Sequence, residues 1–332
     1  VKAFDMARFM QYARSVAATI VMIGAVSLVI VSNGIVAVDA RWVARIELFV
    51  SIFLGIMYEA IPFLTAGALV AAGIHLFMSP TWLTTRLMRW PRVAVIIGSL
   101  MGMVFPVCEC GSIPAARSLI QRGASPQVGL AFALAAPVVN PIVLISTSVA
   151  FLALWGWDFV LWRFGLTIII AVVTAYTFPQ IQLLQTPHHD HDHDHEEIPL
   201  LAWLRHALLD WVDMARYLIV GALIAALIQA FVPNQLFLEL ANQPWLAVPA
   251  MMMLAVVMSI CSTVDSFVAL SFASTVSPAA VMAFLVFGPI IDLKSVPMLA
   301  ALFGWRHIGL LLLFVAGLTI ILTTLLGGLG WL

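Results

Sequence analysis

The 332 residues are 63% hydrophobic and 9% charged, so the chain has too little polar surface to cover a water-soluble globule; an ordinary soluble domain carries about 25% charged residues. Formal net charge is −1 with no broad basic face, which excludes nucleic acid as a class of partner. The apolar residues come in long continuous runs rather than alternating ones, and crossing the hydrocarbon of a bilayer takes roughly 20 residues of helix. Membrane-spanning helices, not barrel strands, are therefore expected.

In chain order the candidate spans are 15–37, 46–77, 93–107, 127–152, 160–183, 213–232, 245–261, 278–302 and 307–330. They predict an all-α integral membrane protein of about 8–9 transmembrane helices, in contact with the lipid bilayer. The first span follows Lys2, Arg8 and Arg14 and shows no small-residue cleavage site, so residues 1–45 are read as a retained N-terminal helix rather than a signal peptide. Residues 46–184 and 200–332 form two transmembrane repeats, joined by the His/Asp-rich linker 185–199.

The repeats show when the chain is aligned with itself. Phe63-Leu64-Thr65-Ala66-Gly67-Ala68-Leu69 matches Tyr217-Leu218-Ile219-Val220-Gly221-Ala222-Leu223, and in the same register Glu59 falls opposite Asp213. Further on, Ser125-Pro126 pairs with Ser277-Pro278, Pro137 with Pro289, and Asn140 with Asp292. Two proline pairs and two polar pairs in order are hard to obtain from apolar composition alone. If the segment around 93–125 turns and returns to its starting side, each repeat crosses an odd number of times and the two are inverted. The positive-inside rule favours that arrangement. With the N-terminus inside, it keeps Arg86, Arg89, Arg92, Arg122, Arg205, Lys294 and Arg306 inside and leaves Arg41, Arg45 and Arg163 outside.

Cys108-Glu109-Cys110-Gly111 is the sharpest motif: two soft thiols bracket a carboxylate where Pro106, Gly111 and Pro114 oppose regular helix. Broken backbone at membrane depth is tolerated where it is buried or lines a cavity, and there it exposes ligands. Cys261 falls within a residue or two of the matching position of the second repeat, so all three cysteines map to one pseudo-symmetric place. The odd count and the spacing favour free thiols over disulfides. Thiolates suit Cu(I), Zn(II) and, by the same softness, trivalent arsenic. The bland alternative is that they are small buried hydrophobes beside a turn.

Pro137-Val138-Val139-Asn140-Pro141 and Pro289-Ile290-Ile291-Asp292 form the second constellation, offering oxygen ligands or a proton site where proline frees a carbonyl, or merely a capped kink and, for Asp292, an interfacial ion pair with nearby Lys294. Glu59, Asp213 and Asp265 are further acids in or beside apolar runs and are candidates for proton coupling, because an ionised carboxylate at mid-bilayer costs about 2.5–3.5 kcal/mol on insertion scales. The linker histidines His188, His189, His191, His193 and His195 alternate with acids and suit a metal-collecting or sensing tether, or a solvated linker that binds metals adventitiously. Gly98 and Gly102 have small-xxx-small spacing, a sign of close helix packing. No Walker loop, dinucleotide fingerprint or His-Glu-x-x-His motif is present.

The stretch Pro106 to Pro114, then Arg122-Gly123-Ala124-Ser125-Pro126, then Ala136-Pro137-Val138-Val139-Asn140-Pro141, resembles the predicted-permease family that includes the ArsP-type organoarsenical efflux permeases. The counterpart from Cys261 to Asp292 fits as well. The resemblance implies a multi-pass permease of a bacterial inner membrane in which Cys108 and Cys110, with Cys261 as a third ligand, contact a thiophilic metal or trivalent organoarsenical. Glu109 departs from the family pattern, since many relatives carry a small residue there; a Cys-Glu-Cys site is harder and favours a metal cation.

The expectation is a secondary exporter of a thiophilic ion and not an enzyme, with substrate contacts from Cys108, Glu109, Cys110, Cys261, Asn140 and Asp292. It requires no cofactor; a metal ion enters as substrate or regulator, and a homo-oligomer is compatible with it. Two other classes stay open. One is a membrane thiol redox enzyme, although a single residue between Cys108 and Cys110 is unlike the usual Cys-x-x-Cys. The other is a metal-sensing membrane subunit of a larger complex.

Overall fold

A computed structural model describes residues 40–77, 90–178, 199–232, 240–241, 243 and 245–330. The expected first span, the arginines at 86 and 89 and the whole His/Asp run lie outside the described residues. Residues 40–48 fall in an N-terminal unit of their own; the fold described below is that of the unit 49–332.

Every regular element among the described residues is helical. The first half contains α1 (Ala40–Phe77), α2 (Pro91–Leu100) with a 3-10 turn Met101–Met103, α3 (Glu109–Gln121), α4 (Pro126–Ala135) and α5 (Pro141–Thr177). The second half contains α6 (Pro199–Phe231), α7 (Ala247–Met258), α8 (Asp265–Leu270), α9 (Pro278–Ile290), α10 (Ser295–Phe303) and α11 (Trp305–Gly328). Helices α1, α5, α6 and α11 are long and apolar enough to cross a membrane, and the pair α9–α10, bent by 52°, is a fifth candidate. Their outward faces carry Leu54, Val149, Leu227 and Leu313, exposed as lipid contact requires of a helix whose only polar groups are satisfied internally.

Breaks shape this fold as much as helices do. Both Ser-Pro pairs start helices: Ser125 caps α4 by accepting from Val128 N–H at 3.4 Å, and Pro126 and Pro278 occupy the first helical turn, where a missing N–H costs nothing. The expected span 127–152 is interrupted at 136–140, where α4 ends and Asn140 caps α5, its Oδ1 accepting from Ile142 N–H at 3.0 Å. The expected span 93–107 is only the ten-residue α2 plus its turn. The small-xxx-small spacing is explained by packing: a Cβ on Gly98 would meet Val128, and one on Gly102 would meet Ala136 and Val139.

By length and composition α5 counts as one crossing, yet it folds back on itself. Gly156 has φ 73° and ψ −172°, a conformation L side chains rarely adopt. Thr147 and Arg163 would stand about 24 Å apart along a straight helix; instead the Arg163 guanidinium donates to Thr147 Oγ1 at 2.5 Å. Phe151 and Phe159 likewise meet as a tilted ring pair with centroids 5.0 Å apart. So 141–155 and 157–177 are two antiparallel arms, split where the sequence separates its spans 127–152 and 160–183. Arg163, counted above as an outside charge, is completely buried between them and cannot serve as a loop cation.

The two halves repeat one element order: a short helix (α2, α7), a cysteine-bearing break, a helix (α3, α8), a Ser-Pro start (α4, α9), a second break, and a further helix (α5, α10). α2 packs along α4 as α7 packs along α9.

Candidate functional site

The site is built from three breaks. The first runs from Val104 to Cys108, where α3 begins with Glu109 in its first turn and Cys108 as an extended N-cap. A carboxylate there suits the positive end of the helix dipole. The second follows α7, which ends on Ser259 in the left-handed region, φ 45°, the lone non-glycine residue with positive φ among those described. Strain of this kind persists only where surrounding contacts hold it. Here Ser259 Oγ accepts from Leu293 N–H at 3.2 Å, and its carbonyl accepts from the Lys294 ammonium at 2.9 Å. The third break, Ile291 to Lys294, joins α9 to α10; Asp292 Oδ1 caps α10 by accepting from Ser295 N–H at 2.6 Å.

Lys294 ties the breaks together. Its Nζ lies 2.8 Å from Glu109 Oε1 and 3.5 Å from Asp292 Oδ2, and all three side chains are at most 4% exposed. The thiols stand beside these contacts along the chain, Cys108 and Cys110 on either side of Glu109 and Cys261 two residues after Ser259. Cys108 and Cys110 are free, buried thiols that share a side-chain hydrogen bond. Cys261, also free and buried, contacts Thr263 Oγ1 at 3.4 Å and lies within electrostatic reach of both Glu109 and Lys294. Glu109 Oε2, Asp292 Oδ2 and Ser262 Oγ are buried with no hydrogen-bond partner. Among the described residues no three His, Cys, Asp or Glu side chains are gathered as a ready-made metal site; thiols and acids are arranged about an ammonium instead.

A second buried ion pair braces the same region. Arg163 NH2 donates to Asp265 Oδ2 at 2.6 Å and NH1 to Ser266 Oγ at 2.8 Å, which fastens the α5 hairpin to the start of α8. Burying such charges is tolerated only with geometry of this quality. Two repeat-related glycines bring the long helices in. A Cβ on Gly221 of α6 would lie 2.7 Å from Lys294 Cα, and one on Gly67 of α1 would run into the backbone of Gly111, next to Cys110.

Of the residues singled out in the sequence, Cys108, Glu109, Cys110, Cys261 and Asp292 share this neighbourhood. Asn140 is buried as the N-cap of α5, whereas Asp292, matched to it in the sequence, accepts from the first N–H of α10 two residues ahead of the N-cap Lys294. Asp265 faces Arg163, and Glu59 is half-buried on α1. Asp213 pairs with Arg117 of α3 at 3.3 Å and Arg216 at 3.1 Å, beside a pocket also lined by Tyr217, Ala301 and Leu302. Sequence reasoning missed Lys294 as the centre and Arg163 as a brace. Both stand as lone cations within apolar stretches, which was the available signal.

The sequence profile described as a predicted permease, of the ArsP type, matches residues 45–328. A protein of Bacillus subtilis strain 168, UPF0718 protein YcgR, is 40% identical over 274 residues, covering 80% of this chain and 92% of the relative. A candidate two-component membrane permease complex subunit of Streptococcus mutans serotype c is 31% identical over 266 residues, covering 78% of this chain and 88% of the relative. No solved structure matches. With a profile running through every break that builds the Lys294 centre, and two relatives covered nearly end to end, the chain belongs to the predicted-permease family of multi-pass membrane proteins.

Proposed function

We propose that the chain is a secondary permease of a bacterial inner membrane that exports a thiophilic metal cation or a trivalent arsenical, and not an enzyme. The observation that carries it is the Lys294 ammonium bridging Glu109 and the Ser259 carbonyl, which brings the break bearing Cys108 and Cys110 to the break bearing Cys261. Soft thiols beside a carboxylate bind such cargo, and discontinuous helices are where secondary transporters place their sites.

In this reading the two halves are inverted repeats that rock about the breaks. Asn140 and Asp292 shape the cargo path, and Glu59, Asp213 and Asp265 carry proton coupling. Asp213, joined to Arg117 across the halves, lines a pocket with Arg216 and Tyr217. The histidines at 188, 189, 191, 193 and 195 act as a cytoplasmic metal-collecting tether. Purified protein in liposomes, offered Zn(II), Cu(I) and a trivalent arsenical in turn, should move at least one of them; movement of none, with the protein folded and oriented, rejects the reading.

A second reading is favoured by one comparison: the Streptococcus mutans relative is named for a two-component complex, so the chain works as one of two subunits. Transport by the purified chain alone decides between them.

A further inference from the structure

The Lys294 ammonium is coordinated much as a metal ion would be. It meets one carboxylate oxygen at 2.8 Å, one backbone carbonyl at 2.9 Å and a second carboxylate oxygen at 3.5 Å, all from different breaks or turns. Oxygen ligands of this kind, carboxylates with a carbonyl, are those that small cations take. The carbonyl is presented by the strained Ser259, and the lysine backbone is pinned by the close approach of Gly221. Among the described residues, Glu109 and Asp292 share the one Lys294 ammonium while Asp265 pairs with Arg163, and Glu109 Oε2 is buried with no hydrogen-bond partner. A buried carboxylate oxygen without a partner is costly, and it marks a place for something that brings positive charge.

We propose that Glu109, Asp292 and the Ser259 carbonyl form a cation-binding subsite that Lys294 occupies as a tethered cation, and that a cationic cargo held by the neighbouring thiols displaces it. The inference rests on the cation reading of the cargo given above. When cargo arrives, its charge takes over neutralisation of Glu109 and the ammonium swings towards Asp292. When cargo leaves, the ammonium returns and covers the carboxylates again. The lysine thereby limits how tightly cargo is held and speeds its release.

The test uses Cd(II), a soft divalent ion that accepts both sulfur and oxygen, on the purified full chain in detergent and in liposomes. Lys294→Met leaves the acids without their resident cation, so Cd(II) should bind at least tenfold more tightly while turnover falls at least tenfold, lowering KM and kcat together. Lys294→Arg, which keeps the charge, should bind within threefold of wild type. Binding to Lys294→Met that is equal to or weaker than wild type overturns the proposal. Should Lys294→Met not fold, the pair Lys294→Met/Glu109→Gln is compared with Glu109→Gln alone; the double variant should bind at least tenfold more tightly, and equality overturns the proposal. Wild-type binding lost in Cys108→Ser/Cys110→Ser, with no gain in Lys294→Met, removes the tethered cation alone. Absence of Cd(II) binding in every variant removes both it and the cation reading.

Discussion

Lys294, from the break that ends α9, places its ammonium 2.8 Å from the carboxylate of Glu109 at the start of α3, and so joins the two halves of the chain. Each partner is at most 4% exposed, which makes the pair unlike a surface salt bridge. Removing Glu109 leaves the buried ammonium with only the more distant Asp292 carboxylate at 3.5 Å, whereas removing the ammonium as well takes away the charge left over. Glu109→Gln should therefore cost about 3–5 kcal/mol of stability, and Glu109→Gln/Lys294→Met should recover most of it. Thermal or denaturant unfolding in detergent, arranged as a double-mutant cycle, checks this; additive losses would show that the two side chains do not depend on each other.

Arg163 holds the α5 hairpin against α8 through Asp265, Ser266 and Thr147. Three contacts from one planar fork cannot be reproduced by a single ammonium. Arg163→Lys should lose about 1–3 kcal/mol, the range for a buried charged hydrogen bond left unmade, with transport falling as the break at Cys261 loosens. Unfolding midpoint and cysteine accessibility to a maleimide report the two effects separately. An unchanged midpoint and unchanged accessibility would mean that the fork is idle.

Gly221→Ala asks whether close approach matters, because the added methyl would lie 2.7 Å from Lys294 Cα. Overpacking of this kind costs about 1–3 kcal/mol, and here it should also displace the lysine and cut transport at least tenfold. Gly317→Ala on α11, where a Cβ meets nothing within 4 Å, is the control and should be neutral. Equal behaviour of the two variants would count against the packing argument.

Much of this architecture was legible from residues. The Pro137–Asn140–Pro141 set was legible as a kink though not as a full break in the span 127–152, and the gap between the spans 127–152 and 160–183 was legible without the turn at Gly156 that makes it. The match of Gly67 with Gly221 marks two helices that both press against a break. The site was legible as a set of thiols and acids because those residue types are rare in apolar sequence. What could not be read was which cation meets which acid. Ion pairing between Lys294 and Glu109, or Arg163 and Asp265, is decided by how distant breaks fold together, and nothing in local spacing encodes it. A charge count by loop placed Arg163 outside because it treats every basic residue as solvated, which fails for one buried in a hairpin.

The proposed inversion of the halves makes a prediction about the linker. A cysteine introduced at Thr186 should react with a membrane-impermeant maleimide only when the cytoplasmic face is opened. Labelling in intact cells would favour parallel repeats instead. Deleting 188–197 should weaken apparent affinity while leaving transport at saturating cargo in place.

Thiols bind soft ions only after losing their protons, so cargo binding should be accompanied by proton release detectable with a pH indicator in weak buffer. Release should be lost together with binding when the thiols are replaced. The most direct measurement is transport into liposomes by wild type, Cys108→Ser and Cys110→Ser, across Zn(II), Cu(I) and a trivalent arsenical. A thiol site beside Glu109 and Lys294 predicts that wild type moves at least one of these and that each serine variant loses at least tenfold of that rate while keeping its fold. Wild-type rates in both variants for every cargo would show that the cysteines do not carry the ion.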